Sequence, residues 1–189
     1  MIKTGCLFAG LLLLACSSIT MGQAAKPAEQ LSIAQAFNRN LTGAENEFAY
    51  AAEAMPEDKY SFAPTNGEFK GVRNFAQQVK HVAAVNYMIG AAIFQEKPPV
   101  DPGSESGPDS VKTKADVLKF LKDSFAYVHK AIDTVNQTNL VTPIKPPWGE
   151  NMTTRLSLST IAVGHCFDHY GQIVEYLRMN GIVPPASRN

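Results

Sequence analysis

One stretch decides the fold: residues 68–95, which read EFKGVRNFAQQVKHVAAVNYMIGAAIFQ. Its core-type positions recur at alternating spacings of three and four, at Val72, Phe75, Val79, Val82, Asn86, Ile89 and Ile93. This spacing is typical of a helix that packs one face in a bundle, so we predict a helix from about Glu68 to Gln95. Asn86 is the polar member of that face, needs a hydrogen-bond partner if buried, and is predicted to fix the packing register.

Three further segments have apolar residues at helical spacing, and they predict helices at about Ser32–Met55, Thr113–Val135 and Thr153–Asn180. Thr113 and Asp116 form a capping-box variant, and Pro56 ends the first helix. No stretch shows sustained strand alternation, so the predicted fold class is an all-α four-helix bundle. The three connections, roughly 12–17 residues each, are long for a minimal bundle and predict crossover connections or functional loops.

Aromatic residues lie in two of these connections: Tyr60 and Phe62 in the first, Trp148 in the third. Such residues either line the mouth of a pocket or pack over the end of the bundle. We favour packing for all three.

Composition excludes some functions. The 189 residues carry 17 Lys and Arg against 17 Asp and Glu, for a net charge of zero. A neutral chain has no general field that attracts a polyanion, so no nucleic-acid partner is expected. The length suits one domain, placed at residues 31–187.

The N-terminus has the pattern of an export signal. Lys3 precedes the apolar run CLFAGLLLLA at residues 6–15, which is too short to span a bilayer but typical of a secretory signal. We predict that residues 1–24 are removed, that residues 25–30 form a linker, and that the protein is periplasmic or secreted. Alternatively, Leu13-Leu14-Ala15-Cys16 resembles a lipoprotein signal ending at residue 15, and lipidated Cys16 would then anchor the protein to a membrane.

Two histidines carry the chemistry. His165 and His169 are four residues apart on the fourth predicted helix, so their imidazoles project from one apolar face. That spacing suits two ligands of one metal ion, and it also suits two core histidines with hydrogen-bond partners. A third ligand must come from another helix, and His81, in the middle of the second, is the natural choice. The fourth histidine, His129, is interpreted as a surface residue.

Other residues near this pair have simpler interpretations. Cys166 is expected to be a small buried residue, and Asp168 a solvated carboxylate or a group that orients a ligand. Ser157, Gly164 and Gly171 recur every seven residues, which predicts a close helix contact, with a homodimer interface as one possibility.

At this point the sequence resembles a known family, the DinB-like (damage-inducible) metal-binding proteins. The stretches that carry the likeness are YSFAPT at 60–65, HVAAVNY at 81–87, HCFDHYG at 165–171, YLR at 176–178 and GIVPP at 181–185. The resemblance covers about residues 30–187.

The resemblance implies a four-helix bundle with crossover connections and one divalent metal ion held by three histidines. Those ligands would be His81, His165 and His169. Nickel and zinc are the metals the family often uses, while nitrogen ligands also suit iron and manganese. The family frequently has an acidic residue soon after the first histidine, but Ala84 and Val85 occupy that stretch here, which puts an acid–base partner from the second helix in doubt.

Two functions follow. Three imidazole ligands leave coordination positions for water or substrate, which predicts a metal-dependent hydrolase or transferase acting on a small molecule. Some relatives are thiol-dependent transferases, but their thiols are cytosolic, and export argues against that substrate. The alternative is an exported, non-catalytic module that binds a metal or small ligand, for example in a stress response. The substrate itself is not predicted.

Overall fold

The computed structural model describes residues 30–188, and one compact unit begins at Leu31. The predicted signal peptide at 1–24, the alternative cut at Cys16 and the linker up to residue 29 lie outside the described residues. Four long helices make up most of the unit: α1 Ile33–Ala54, α2 Phe75–Phe94, α3 Lys114–Ile132 and α4 Arg155–Met179. The predicted all-α bundle is confirmed. None of the helices within residues 30–188 is both long and apolar enough to cross a membrane.

Local sequence sets where α1 and α3 begin. Ser32 and Gln35 form a reciprocal capping box at the start of α1, and Thr113 and Asp116 form one at the start of α3. Each box satisfies amide groups that have no partner in the first turn of a helix. The predicted starts of both helices are therefore confirmed.

The helix α2 begins later than predicted, at Phe75 rather than near Glu68. Asn74 caps it, accepting a hydrogen bond from the Gln77 amide, and Gly67 and Gly71 before it have φ angles of 123° and 78°. These glycines adopt backbone that a helix cannot contain, while the Asn74 side chain offers a strong start signal. Val72, which fitted the apolar spacing, consequently lies in the connection.

The order of the helices around the bundle confirms the crossover connections. α1 packs against α3 and α4, and α2 packs against the same two helices. α1 and α2 therefore lie at opposite corners, as do α3 and α4, so the first and third connections each join diagonal corners. As a result α2 and α4, which are distant in sequence, share a long interface.

The third connection contains a two-residue ladder that the sequence did not predict. β1 Pro143–Ile144 pairs antiparallel with β2 Thr153–Thr154, Ile144 opposite Thr153. Thr154 is also the N-cap of α4, and its hydroxyl accepts a hydrogen bond from the Ser157 amide. The ladder therefore fixes where α4, the helix that carries His165 and His169, begins.

The core confirms the apolar faces read from the sequence. Its largest fully buried side chains come from every helix, among them Leu41, Phe48, Phe75, Ile89, Ile93, Leu121, Phe125, Leu158 and Ile173. Asn86 is also buried, and its amide donates a hydrogen bond to Ser124 Oγ on α3 at 3.3 Å. Because the buried Asn86 amide donates to Ser124 at one position along α3, this hydrogen bond fixes how α2 and α3 align along their axes, as predicted.

The stripe of small residues on α4 does not make the predicted close contact within the chain. Ser157, Gly164 and Gly171 are exposed, and a Cβ atom added at either glycine would have no neighbour within 4 Å. Their period of seven keeps them on one face, but that face is turned away from the other helices. The homodimer interface stays a prediction.

Candidate metal centre

Helices α2 and α4 bring the three predicted ligands together. His81 on α2 and His169 on α4 are buried, and His165, one turn before His169, is half-buried. His165 Nε2 lies 3.1 Å from His81 Nε2, and one ligand nitrogen from each of the three rings lies within 4.8 Å of the others. Two nitrogens bound at about 2.0–2.1 Å to one metal ion lie about 3.0–3.4 Å apart, so the closest pair already has that spacing.

A backbone carbonyl sets the tautomer of His81. His81 Nδ1 lies 2.6 Å from the carbonyl oxygen of Glu105, in the connection between α2 and α3. Because a carbonyl oxygen only accepts hydrogen bonds, Nδ1 carries the proton and donates. The lone pair of His81 is therefore on Nε2, the nitrogen that faces His165.

A buried amide does the same for His169. His169 Nδ1 lies 2.9 Å from Gln78 Oε1, and Gln78 is 1% exposed. The Gln78 amide donates to Gln172 Oε1 at 2.7 Å, and Gln172 in turn reaches Asp168 Oδ2 at 3.4 Å. Since its amide nitrogen is already used as a donor, Gln78 presents its oxygen to His169, and the lone pair of His169 is on Nε2.

The electrostatics keep the rings neutral. Burial, reinforced by the neighbouring imidazoles, lowers the pKa of His165 to about 3 and that of His169 to about 4. Burial and the nearby Arg73 charge also lower the pKa of His81, although its contacts with Glu105 oppose this. Near neutral pH all three rings are unprotonated, which is the state that binds a metal ion.

The residues present therefore fit a divalent metal ion. Three neutral nitrogen donors converge, and two of them are oriented by hydrogen bonds from their other ring nitrogen, as in many metal sites. Three protein ligands leave positions open for water or substrate. An all-imidazole set suits zinc, nickel, iron and manganese alike, so the donors do not choose among them.

The connection between α2 and α3 is held against the site by Arg73. Arg73 donates to the Glu105 carbonyl at 3.1 Å from Nε and pairs with the Glu105 carboxylate at 2.8 Å from Nη2. Gly107, at φ 76°, packs so closely on Lys80 that an added Cβ would lie 2.5 Å from the Lys80 Cβ. These contacts fix the height of the carbonyl that His81 uses.

Asp168 places a carboxylate beside His169. Its Oδ2 lies 4.0 Å from His169 Nε2, and its side chain is 70% exposed. Both interpretations of Asp168 hold in part: the group is solvated, and it ends the hydrogen-bond chain through Gln172 that orients His169.

The fourth histidine was wrongly interpreted as a surface residue. His129 is half-buried between α3 and α1, where Nδ1 lies 2.6 Å from Asn38 Oδ1 and Nε2 lies 3.0 Å from Glu45 Oε2. Asn38 is held in turn by Asp133. The apolar spacing of α3 gave no sign of the two polar partners of His129, because both come from α1. His129 lies apart from the other three histidines.

Cys166 is buried, as expected, with its thiol 3.5 Å from the Ala44 carbonyl. Burial and the charges of Glu45 and Glu47 raise the pKa of this thiol to about 12. A protonated, enclosed thiol is a packing group and neither a nucleophile nor a ligand.

The loop aromatics divide between the two roles considered. Tyr60 packs edge-on against Phe75 and its hydroxyl donates to the Ala52 carbonyl, while Phe62 packs against Tyr176. Trp148 is different, since it is 44% exposed and lines a cavity of about 200 Å³ together with His81. Packing is confirmed for the first two, and was the wrong choice for Trp148.

Gln78 and Glu105 are the site residues that sequence analysis missed. Gln78 lies three residues before His81, on a neighbouring part of the same helical face, so the spacing could have pointed to it. Gln77, four residues before His81, is not at the site and closes the capping box at Asn74. Glu105 acts through its backbone carbonyl, and no residue pattern signals that.

Comparisons with known proteins identify the family and the fold. The sequence matches the DinB superfamily over residues 40–173, and the chain belongs to this superfamily. No curated protein matches the sequence.

Solved structures share the fold at low sequence identity. A DinB-like protein from Bacillus cereus ATCC 10987 is 11% identical with a TM-score of 0.64, covering 79% of this chain and 93% of its own. A conserved protein from Enterococcus faecalis is 17% identical with a TM-score of 0.63, covering 79% and 98%. YfiT from Bacillus subtilis, described as a probable metal-dependent hydrolase with an unusual four-helix bundle topology, is 20% identical with a TM-score of 0.59, covering 83% and 94%.

Proposed function

We propose that this protein is an exported metal-dependent hydrolase that acts on a small molecule, with His81, His165 and His169 as ligands of one divalent ion. The observation that carries the proposal is the convergence of three unprotonated imidazoles, two of them held in the metal-binding tautomer by Glu105 and Gln78. The description of YfiT as a probable metal-dependent hydrolase supports the same class of function. Zinc and nickel are the metals we propose first.

The residues of the chain divide the work. The three histidines hold the ion, which supplies a Lewis acid with open positions for water or substrate. Glu105 and Gln78 keep the ligand rings oriented. Asp168, 4.0 Å from His169 Nε2, is the group placed to accept a proton from an attacking water and to return it to a leaving group.

Metal content is the first test. Wild-type protein produced with nickel, zinc, iron and manganese present should contain about one ion per chain by elemental analysis. His165→Ala should lose it, because two imidazoles remain where three are required. His129→Ala is the matched control and should keep the ion, since His129 is bound to Asn38 and Glu45 elsewhere. A wild type without metal would overturn the proposal.

A second candidate is a non-catalytic exported module, favoured by the 70% exposure of Asp168, which leaves the carboxylate beside His169 in water rather than enclosed against a substrate. Asp168→Asn separates the two. In a hydrolase, this variant should keep its metal and lose at least about tenfold in turnover against a panel of esters, amides and phosphate esters. A metal-loaded wild type that turns over none of the panel leaves the binding module as the function.

A further inference from the structure

One face of α2 runs from the metal centre into two cavities. His81, Val85, Met88, Ala92 and Gln95 follow one another at spacings of three and four, so they lie along one side of the helix. Gln95, the C-cap of α2, comes fourteen positions after His81, which is about 21 Å along the helix. The face therefore forms a floor that leads from His81 to the end of α2.

The two cavities share a residue of this floor. The nearer has a volume of about 200 Å³ and is lined by His81, Val85, Met88 and Trp148, with residues 103–105 as a wall. The farther has a volume of about 440 Å³ and is lined by Met88, Ala92 and the prolines Pro98, Pro102, Pro146 and Pro147. Because Met88 borders both, the cavities adjoin at this side chain, and the two together are called the groove.

The chemistry of the groove is apolar. Its lining is mostly Met, Ala, Val, Pro and Trp side chains, with Gln95 and Lys145 as polar members of the farther cavity. The two carboxylates at its edges, Glu105 and Glu96, already have partners. Glu105 pairs with Arg73 at 2.8 Å, and Glu96 accepts a hydrogen bond from the Tyr127 hydroxyl at 3.0 Å. Trp148 is 44% exposed and offers an aromatic surface that a ligand would cover.

The connections that form the walls are fixed to the bundle. Gln95 exchanges hydrogen bonds with the Lys145 backbone, donating to its carbonyl at 3.3 Å and accepting from its amide at 3.2 Å. On the other side, Lys80 Nζ donates to the Pro108 and Val111 carbonyls. A groove with anchored walls is preformed, so a ligand need not order them on binding.

We propose that this groove is the substrate channel of the metal centre, and that the substrate is an acyl compound with an apolar chain. Its carbonyl or carboxyl group lies at the three histidines, and its chain passes Met88 into the farther cavity. This inference rests on the proposed function, because the head group needs the metal ion. A short polar substrate would leave both cavities unfilled.

The test uses two hydroxamates, which bind metal ions through the same head group but differ in chain length. Acetohydroxamate and octanohydroxamate are titrated into the zinc-loaded protein by calorimetry. Each methylene that leaves water contributes up to about fourfold in affinity, so with partial burial the longer probe should bind at least about tenfold more tightly. Zinc-loaded protein that binds neither probe overturns the proposed function together with the channel.

Substitutions along the groove test where the apolar chain of the longer probe lies. Met88→Asp places a charge where the cavities meet, and Trp148→Ala removes an exposed loop side chain without disturbing the core. Both should weaken octanohydroxamate at least about fivefold and leave acetohydroxamate unchanged. Met179→Asp makes the same exchange at an exposed position at the end of α4, 55% exposed, and should change neither probe. Equal binding of the two probes to wild type, or equal weakening of both by Met88→Asp, overturns the channel while the metal site stands.

Discussion

Gln78 is a fully buried amide that acts on metal binding through His169. Replacing it with Leu removes the acceptor of the His169 Nδ1 proton and frees the ring to turn or change tautomer. We expect Gln78→Leu to weaken zinc binding by about 10–100-fold, the usual effect of losing such a partner. Competition with a chelating dye measures the affinity.

The control for Gln78 is a conservative replacement at the same position. Gln78→Glu keeps an oxygen acceptor, and a carboxylate behind a ligand imidazole raises its basicity, so affinity should stay within a few-fold of wild type. Equal losses in both variants would show that Gln78 matters for packing rather than for orienting His169.

The histidines also predict how the metal-free protein responds to acid. In the unfolded chain a histidine titrates near pH 6.5, whereas burial lowers the pKa of His165 to about 3 and that of His169 to about 4. Between pH 6.5 and 4 the unfolded state binds more protons, so the free energy of unfolding falls as the pH falls, by about 1.4 kcal/mol per pH unit for each histidine. Urea unfolding after chelation, at pH 7 and at pH 5, measures this.

A double variant isolates the contribution of the two rings from that of the carboxylates. His165→Gln with His169→Gln cannot be protonated at these positions, so its unfolding free energy should depend less on pH over the same range. Parallel curves for wild type and double variant would contradict the expected effect.

At the level of single residues, the sequence predicted those site residues that helical spacing alone can identify. The interval of four between His165 and His169, and the central place of His81 on the second helix, predicted three rings that the structure does place together. The hydrogen-bond partners of those rings were not predicted. Glu105 contributes a backbone carbonyl, which no residue type signals, and Gln78 acts only because α4 brings His169 next to it. The interpretation of His129 as a surface residue was wrong for the same reason, since its partners Asn38 and Glu45 lie on a helix about 90 residues away in sequence.

Among the connecting elements, the one between α2 and α3 depends on Gly107. A side chain there meets Lys80 at 2.5 Å and strains a backbone with φ 76°. We expect Gly107→Ala to lower the free energy of unfolding by roughly 2–4 kcal/mol and to weaken metal binding, because the Glu105 carbonyl shifts away from His81. Chemical unfolding and metal titration measure the two effects.

Gly149 provides a matched control in the next connection. It has a similar φ of 70°, but an added Cβ would have no neighbour within 4 Å. Gly149→Ala should therefore cost only the backbone strain, about 1–2 kcal/mol, with no change in metal affinity. If Gly149→Ala costs as much as Gly107→Ala, the contact with Lys80 is not what holds the connection.

On α4, the exposed glycines leave room for a gain in stability. Gly164 is in the middle of the helix with open space around its Cα, so Gly164→Ala should raise the free energy of unfolding by up to about 1 kcal/mol. Gly90→Ala on α2 is the contrast and should destabilise, since its Cβ would lie 2.7 Å from the Tyr127 ring. Thermal unfolding compares the two variants. If Gly164→Ala instead lowers the stability and also reduces the molecular mass in solution, Gly164 lies in a homodimer interface.

At the level of elements, helix existence was predictable and helix starts only partly so. Ser32 and Thr113 are capping residues whose effect is local, and the helix starts predicted from them are confirmed. The start of α2 was placed seven residues too early because Val72 happened to fit the apolar spacing, whereas Gly71 and Asn74 decide the backbone there. The ladder of Pro143–Ile144 with Thr153–Thr154 is too short to show any alternation.

For the whole molecule, metal binding should appear as stability. An ion that binds only the folded state stabilises it by about 2.7 kcal/mol at one hundred times its dissociation constant, which is roughly 6–10 °C in Tm for a chain of this size. Calorimetry with and without excess zinc measures the shift. His165→Ala should show none, and a shift in that variant equal to wild type would place the stabilising ion elsewhere.

The placement of the ligands on α2 and α4 gives the ion a topological role. His81 and His165 are 84 residues apart in sequence, so an ion shared by them closes a loop that contains all of α3 and both flanking connections. Closing a loop of that length with a covalent bond removes about 4–5 kcal/mol of unfolded-state entropy in the simplest chain model. Cys166 is the one cysteine in the described residues and is free, so a disulfide cannot tie these segments together. An ion at the centre would serve as the cross-link of this domain. A chelator would open this cross-link, whereas a change in the redox state of the surroundings, which opens a disulfide, would not.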